Sequence, residues 1–313
     1  MNKLEANVSL LIITFFAAIQ YAFLGGVPDS VSHFSFLCIT NLLGFLITLA
    51  LFFSELFRLD KKQVKESFIL SAELFGFNIF MLLGTAGVGA TVSASVLSGY
   101  FVFIAIISFL FFKQVPTWNT IAGIVLVLLG LFFLMNADVG ALMNVHILYL
   151  IVADIFFSVY IITTGKFTSG SNPSILAMGQ MLFNFLFSLL FWAGESIVKK
   201  TPMTLPSDPA FWGSVIFIAL FIRGIYGVVQ IYAQRYVSPL NTSLIFSTEI
   251  LMTMAMSPIL AALFGTEPEV ITSIRIVGGV VMVAGVLMAD STVFEAVKKA
   301  VKKAVKRRET SGE

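Results

Sequence analysis

The chain has 313 residues, of which 58% are hydrophobic and 12% charged, and its formal net charge is +2. Soluble domains are usually about 45–50% apolar and 25% charged, so this composition excludes a soluble globular protein. What remains between the apolar runs is too short for a separate catalytic domain, and no basic excess invites nucleic acid.

Ten apolar segments follow one another, at 7–25, 34–53, 67–87, 91–112, 118–136, 147–165, 174–197, 211–233, 240–264 and 270–289. Each has about 18 residues or more, enough to cross hydrocarbon as a helix. Lys3 precedes the first, but no small-residue cleavage site follows it, so it reads as a retained span. The second holds the single cysteine, Cys38, which excludes an intrachain disulfide. Arg58, Lys61, Lys62 and Lys65 separate spans two and three. Lys113, Lys166 and Arg235 fall on the same side, with Lys3 and the basic tail. The positive-inside rule then puts both termini in the cytoplasm; the expected location is the plasma (inner) membrane. Lys199 and Lys200 are the exception, in the longest loop of the outer side.

Charges and amides inside hydrocarbon need a partner or a purpose. Span three carries Glu73 and Asn78. Span four carries the small-residue stripe Thr91, Ser95, Gly99, and Tyr100 beside it; such stripes let helices approach closely, and this face is a candidate homodimer surface. Span six carries Asp154 with Ser158 one turn on, read as an outer vestibule or cap. Gln180 and Asn184 share a face of span seven. In span eight, Arg223, Gly227, Gln230 and Gln234 make a polar stripe at helical spacing, as do Thr242, Glu249 and Thr253 in span nine. Arg223 and Glu249 both lie near mid-membrane on adjacent spans, so they are expected to pair, either around a substrate or as packing. Tyr21, Tyr100, Tyr160 and Tyr226 could box an ammonium group. Arg275 reads as an interface anchor.

The second half echoes the first. An offset of 150 residues sets Thr91 on Asn241, Ser93 on Ser243, Gly99 on Glu249 and Glu73 on Arg223. Farther on, Gly123-x6-Gly130 falls on Gly278-x6-Gly285. The expected fold is therefore all-α: ten transmembrane helices as two inverted five-helix repeats, because an odd number of spans turns the second copy over. The repeats are assigned to 1–140 and 141–291. Residues 292–313 form a tail whose Ala-Val-Lys-Lys repeat suits a basic amphipathic helix on the lipid bilayer's anionic cytoplasmic leaflet.

This layout resembles the drug/metabolite transporter superfamily, in particular its EamA-type members. Their fourth helix often reads Ser-Leu-Glu-Pro, followed by an apolar run and Gly-Glu. Phe246-Ser247-Thr248-Glu249-Ile250 keeps the acid and lacks the proline, and Ser98-Gly99-Tyr100 lacks both. Gly265-Thr266-Glu267 matches the later Gly-Glu loosely, and Lys113-Gln114 stands in its place in the first half. The resemblance implies alternating access through a cavity lined by both repeats.

No metal, cofactor or enzymatic activity is expected. His33 and His146 lie near outer loops, no phosphate-binding Gly-rich loop is present, and no nucleophile stands beside a base. The expected function is secondary transport or export of a small polar metabolite, foremost an amino acid or related zwitterion. Glu73, Asn78, Tyr100, Arg223, Gln230 and Glu249 are the candidate substrate-binding residues. Glu73 and Glu249 are the candidates for proton coupling. The alternatives are a carrier of a cationic amine or quaternary ammonium compound, and a membrane scaffold or assembly factor that transports nothing.

Overall fold

A computed structural model describes residues 1–25, 27, 31–88, 90–112, 117–134, 144–264 and 271–289. The expected boundary between repeats near 140, the loops at Lys113-Gln114 and Gly265-Thr266-Glu267, and the basic tail lie outside them.

The described residues of the expected apolar segments are helical apart from short turns. The first three helices are α1 (Lys3–Gly25), α2 (His33–Phe52) and α3 (Lys61–Thr85). A 3₁₀ turn over Phe53–Arg58 joins α2 to α3. Then come α4 (Ala90–Leu97), α5 (Tyr100–Phe112) and α6 (Trp118–Leu134). The second half opens with α7 (Val145–Thr168) and α8 (Pro173–Lys199). Next is a rod made of α9 (Pro209–Phe217), a π-helical stretch (Ile218–Tyr226) and α10 (Gly227–Ala233). It ends with α11 (Pro239–Phe246), α12 (Glu249–Phe264) and α13 (Ser273–Ala289). Among the described residues, six helical stretches are long and apolar enough to cross a membrane; Val92–Ile107, Trp118–Leu134, Glu249–Leu263 and Ser273–Gly285 are apolar but shorter.

Local chemistry sets the helix starts. Asp60 and Gln63 form a reciprocal capping box at α3, with bonds of 2.7 and 3.3 Å. Asn144 caps α7. Asn172, Asp208 and Ser238 cap helices whose first residue is proline, where the missing N–H costs nothing.

Two segments expected as single spans are broken, and in the same way. Between α4 and α5, Gly99 N–H turns back to Val96 O at 2.8 Å and Ser98 Oγ donates to Ala94 O at 2.7 Å. Between α11 and α12, Thr248 N–H turns back to Ile245 O at 3.1 Å and Ser247 Oγ donates to Ser243 O at 3.1 Å. Each break tightens the helix by one residue and starts a new helix inside the protein, at Tyr100 and at Glu249.

Packing joins the first half of the chain to the second. α2 lies antiparallel on α8, α3 packs on α7 and α8, and α1 packs on the Pro209–Ala233 rod and on α12. The closest approach is α6 on α13. A Cβ on Gly130 would lie 2.7 Å from Gly278 O, and one on Gly285 would lie 2.7 Å from Gly123 O. The two Gly-x6-Gly motifs thus meet each other, antiparallel, backbone on backbone.

Ser95 and Gly99 of the small-residue stripe face into the helix bundle. Ser95 is fully buried, and a Cβ on Gly99 would sit 3.3 Å from Asp154 Oδ2. The side chain of Thr91 lies outside the described residues.

Candidate functional site

The halves close around a central cavity of about 50 Å³. A water needs roughly 10–15 Å³ of such space, and an engineered cavity that takes up benzene has about 150 Å³. That is room for a few waters.

One part of the wall is rich in donors. The Arg223 guanidinium donates from Nη1 to Asn78 Oδ1 at 3.0 Å, and its stem rests on α2, where a Cβ on Gly44 would come within 2.5 Å of Arg223 Cβ. Gln180 accepts from the Tyr160 hydroxyl at 3.2 Å through its oxygen, which leaves its NH₂ to the cavity. Arg223 Nε, Asn78 Nδ2, Gln180 Nε2 and Gln230 Nε2 are all buried, and none has a hydrogen-bond partner among the described residues. Four such N–H groups around one space are costly unless an acceptor joins them.

A second part of the wall is acidic and aromatic. Glu249, the first residue of α12, has the Tyr21 hydroxyl within hydrogen-bonding reach, while its Oε1 is buried and unpartnered. Tyr100, the first residue of α5, crosses to donate to Ser243 O at 3.0 Å. Tyr226 stacks on Phe246 with ring centroids 5.4 Å apart, and Phe157 meets Tyr100 edge-on at 5.1 Å. No ion pair links Arg223 to Glu249 among the described residues, so the expected pairing is replaced by Arg223 on Asn78.

Of the residues singled out from sequence, Asn78, Tyr100, Arg223, Gln230 and Glu249 line this cavity, and Glu73 does not. Glu73 lies on the face of α3 toward α7, where Thr163 Oγ1 donates to it at 3.1 Å. Gln234 also leaves the stripe: it is the C-cap of α10, and its Nε2 points to Ile161 O at 3.5 Å. Asp154 is not in a solvated vestibule. It is 2% exposed and stands beside the α4–α5 break, near the N-terminus of α5, where a carboxylate is favoured. Gln20, Phe77 and Phe157 line the cavity as well and were not singled out. An amide beside Tyr21 in mid-span was the available signal for Gln20.

The sequence comparison decides the family. Residues 5–136 and 144–289 each match the EamA-like transporter family. The chain belongs to that family. This EamA-like protein is 22% identical over 293 residues to an uncharacterized transporter of Archaeoglobus fulgidus (strain ATCC 49558 / DSM 4304 / JCM 9628 / NBRC 100126 / VC-16), covering 94% of the chain and 88% of the relative. It also shares its fold with a protein of known crystal structure at a TM-score of 0.65 and 15% identity, over 93% of this chain and 97% of that one. It is a multi-pass membrane protein of a transporter family.

Proposed function

We propose that this EamA-like protein carries a small zwitterionic metabolite, an amino acid first among them, across the plasma membrane by alternating access. The observation that carries this reading is the division of the cavity wall. Unpartnered N–H donors on Arg223, Asn78, Gln180 and Gln230 suit a carboxylate. The Glu249 carboxylate among Tyr21, Tyr100 and Tyr226 suits an ammonium. Because Arg223 and Glu249 are not spent on each other, both are free to meet opposite ends of one solute.

Alternating access needs two halves that are inverted copies. Three features support ten spans in that arrangement: the twofold family match, the like-for-like breaks at Ser98-Gly99 and Ser247-Thr248, and the antiparallel seam of α6 with α13. The breaks make Tyr100 the counterpart of Glu249, one residue away from the register that pairs Gly99 with it. Both termini then face the cytoplasm, with the clustered basic residues. Proton uptake by Glu249 is the coupling step that this wall suggests.

The tyrosines around Glu249 favour a second reading, carriage of a cationic amine without a carboxylate. A thermal-shift screen of the purified protein against amino acids, amines, organic acids and nucleotides separates the two. Stabilisation by amino acids that Arg223→Gln abolishes supports the zwitterion. Stabilisation by amines that survives Arg223→Gln supports the alternative, and no response to either class sinks both.

A further inference from the structure

Two hydrogen bonds at opposite ends of the α2–α8 pair are copies of one another. At the end that carries Arg58, Lys61 and Lys62, the Asn172 side chain donates to Glu55 Oε2 at 2.8 Å. At the other end, Ser32 Oγ donates to Glu195 Oε2. Ser32 and Asn172 are the caps of α2 and α8, and Glu55 and Glu195 follow or end the same two helices. Both the caps and the acids are 140 residues apart in sequence. Each half of the chain thus lends the other an acid from the end of its second long helix, and takes back the acid of its partner on its own cap.

Both acids are shielded and steadied alike. Their side chains are 22% and 17% exposed, and each carries one cation on its own helix end: Arg58 at 3.4 Å from Glu55, and Lys199 at 2.6 Å from Glu195. Between them the helices are held by Asn41, whose Nδ2 reaches Asn184 O at 3.4 Å. The basic end is tied further across the halves, by Lys62 to Gly170 O at 3.3 Å and by Ser171 to Glu66. The opposite end is looser: the Glu195 bond borders a pocket of about 630 Å³. Hydrogen bonds to charged groups are the strong ones, and both of these cross the boundary at which the halves would part.

We propose that Glu55 and Glu195 are the paired gate residues of the transport cycle. Each would hold its own face of the protein shut, and both bonds are made in this structure. The proposal rests on the alternating-access reading but not on the nature of the substrate. Opening toward the basic face breaks Glu55–Asn172 and leaves Ser32–Glu195 in place; opening to the other face does the reverse.

The test places one reporter thiol at Ala17, which lines the cavity, as Ala17→Cys in a Cys38→Ala background, and labels it with a membrane-impermeant maleimide from either face of oriented vesicles. Glu195→Gln should speed labelling about tenfold from the face opposite the basic loops and not from the basic face. Glu55→Gln should do the same from the basic face alone. Ser32→Gly and Asn172→Gly delete the same bonds while costing each cap only a few tenths of a kcal/mol, and should reproduce the two patterns even where a glutamate variant does not fold. Parent protein labelled from both faces, with no side-selective change in any variant, overturns the gates and leaves alternating access standing. A thiol that is never labelled from either face in any variant overturns both.

Discussion

Arg223 Nη1 and Asn78 Oδ1 are 3.0 Å apart, and this bond joins the π-helical stretch of the second half to α3 of the first. It aims the guanidinium without neutralising it. A buried cation held by an amide keeps its charge for something else, whereas one held by a carboxylate does not.

Arg223 should therefore be read by both charge and shape. Arg223→Gln is expected to lower affinity for a carboxylate-bearing solute by at least about tenfold, the scale of one charged hydrogen bond. Arg223→Lys should recover only part of it, since a point charge does not reproduce a planar fork. Equilibrium binding to purified protein measures both, and equal affinities across the three proteins would remove Arg223 from the site.

Glu249→Gln keeps the size and polarity of the side chain and removes its charge and its proton. We expect transport that no longer responds to an imposed pH gradient, with solute exchange at zero gradient retained. Flux into liposomes with and without the gradient checks this. A gradient response equal to that of the parent would exclude Glu249 from coupling and turn attention to Glu73 on the α3–α7 face.

Gly44→Ala tests whether the guanidinium is positioned from behind. The new methyl would sit 2.5 Å from Arg223 Cβ, closer than such atoms come. The cavity keeps every polar group, yet affinity should fall about as far as in Asn78→Ala, by roughly three- to tenfold. Binding measured on both variants decides the matter; an unchanged Gly44→Ala would show that α2 yields there.

Gly278→Ala should destabilise the protein by about 1–3 kcal/mol, as overpacking does, because its methyl meets Leu134 N at 2.7 Å and Gly130 O at 2.8 Å. Gly213→Ala meets nothing within 4 Å and should be neutral or stabilising by up to about 1 kcal/mol, the helix-propensity gain. Thermal unfolding in one detergent compares the two directly, and the order of their Tm values is the result that matters.

Much of the architecture was legible because hydrocarbon permits few choices. A run of apolar residues long enough to cross is helical, since its backbone groups have no other partners. Cavity residues such as Asn78, Arg223 and Glu249 were legible because polar groups at that depth are costly. Three things were not. The breaks at Ser98-Gly99 and Ser247-Thr248 use residues that are common in unbroken membrane helices. Nothing in Ile218–Tyr226 announces the wide turns found there. Glu73 shows the third difficulty: its depth could be estimated from sequence, but which neighbour its face of α3 meets is settled only by packing against Thr163.

The seam between Gly123, Gly130, Gly278 and Gly285 has a consequence for descent. The contacts run crosswise, Gly278 on the backbone of Gly130 and Gly285 on that of Gly123, so neither half can accommodate a larger residue by adjusting alone. Elsewhere the two halves have been able to drift into different residues, such as Tyr100 and Glu249. Along α6 and α13 they are bound to change together or not at all, and pairwise covariation of these positions among relatives should be traceable after most other likeness between the halves has been erased.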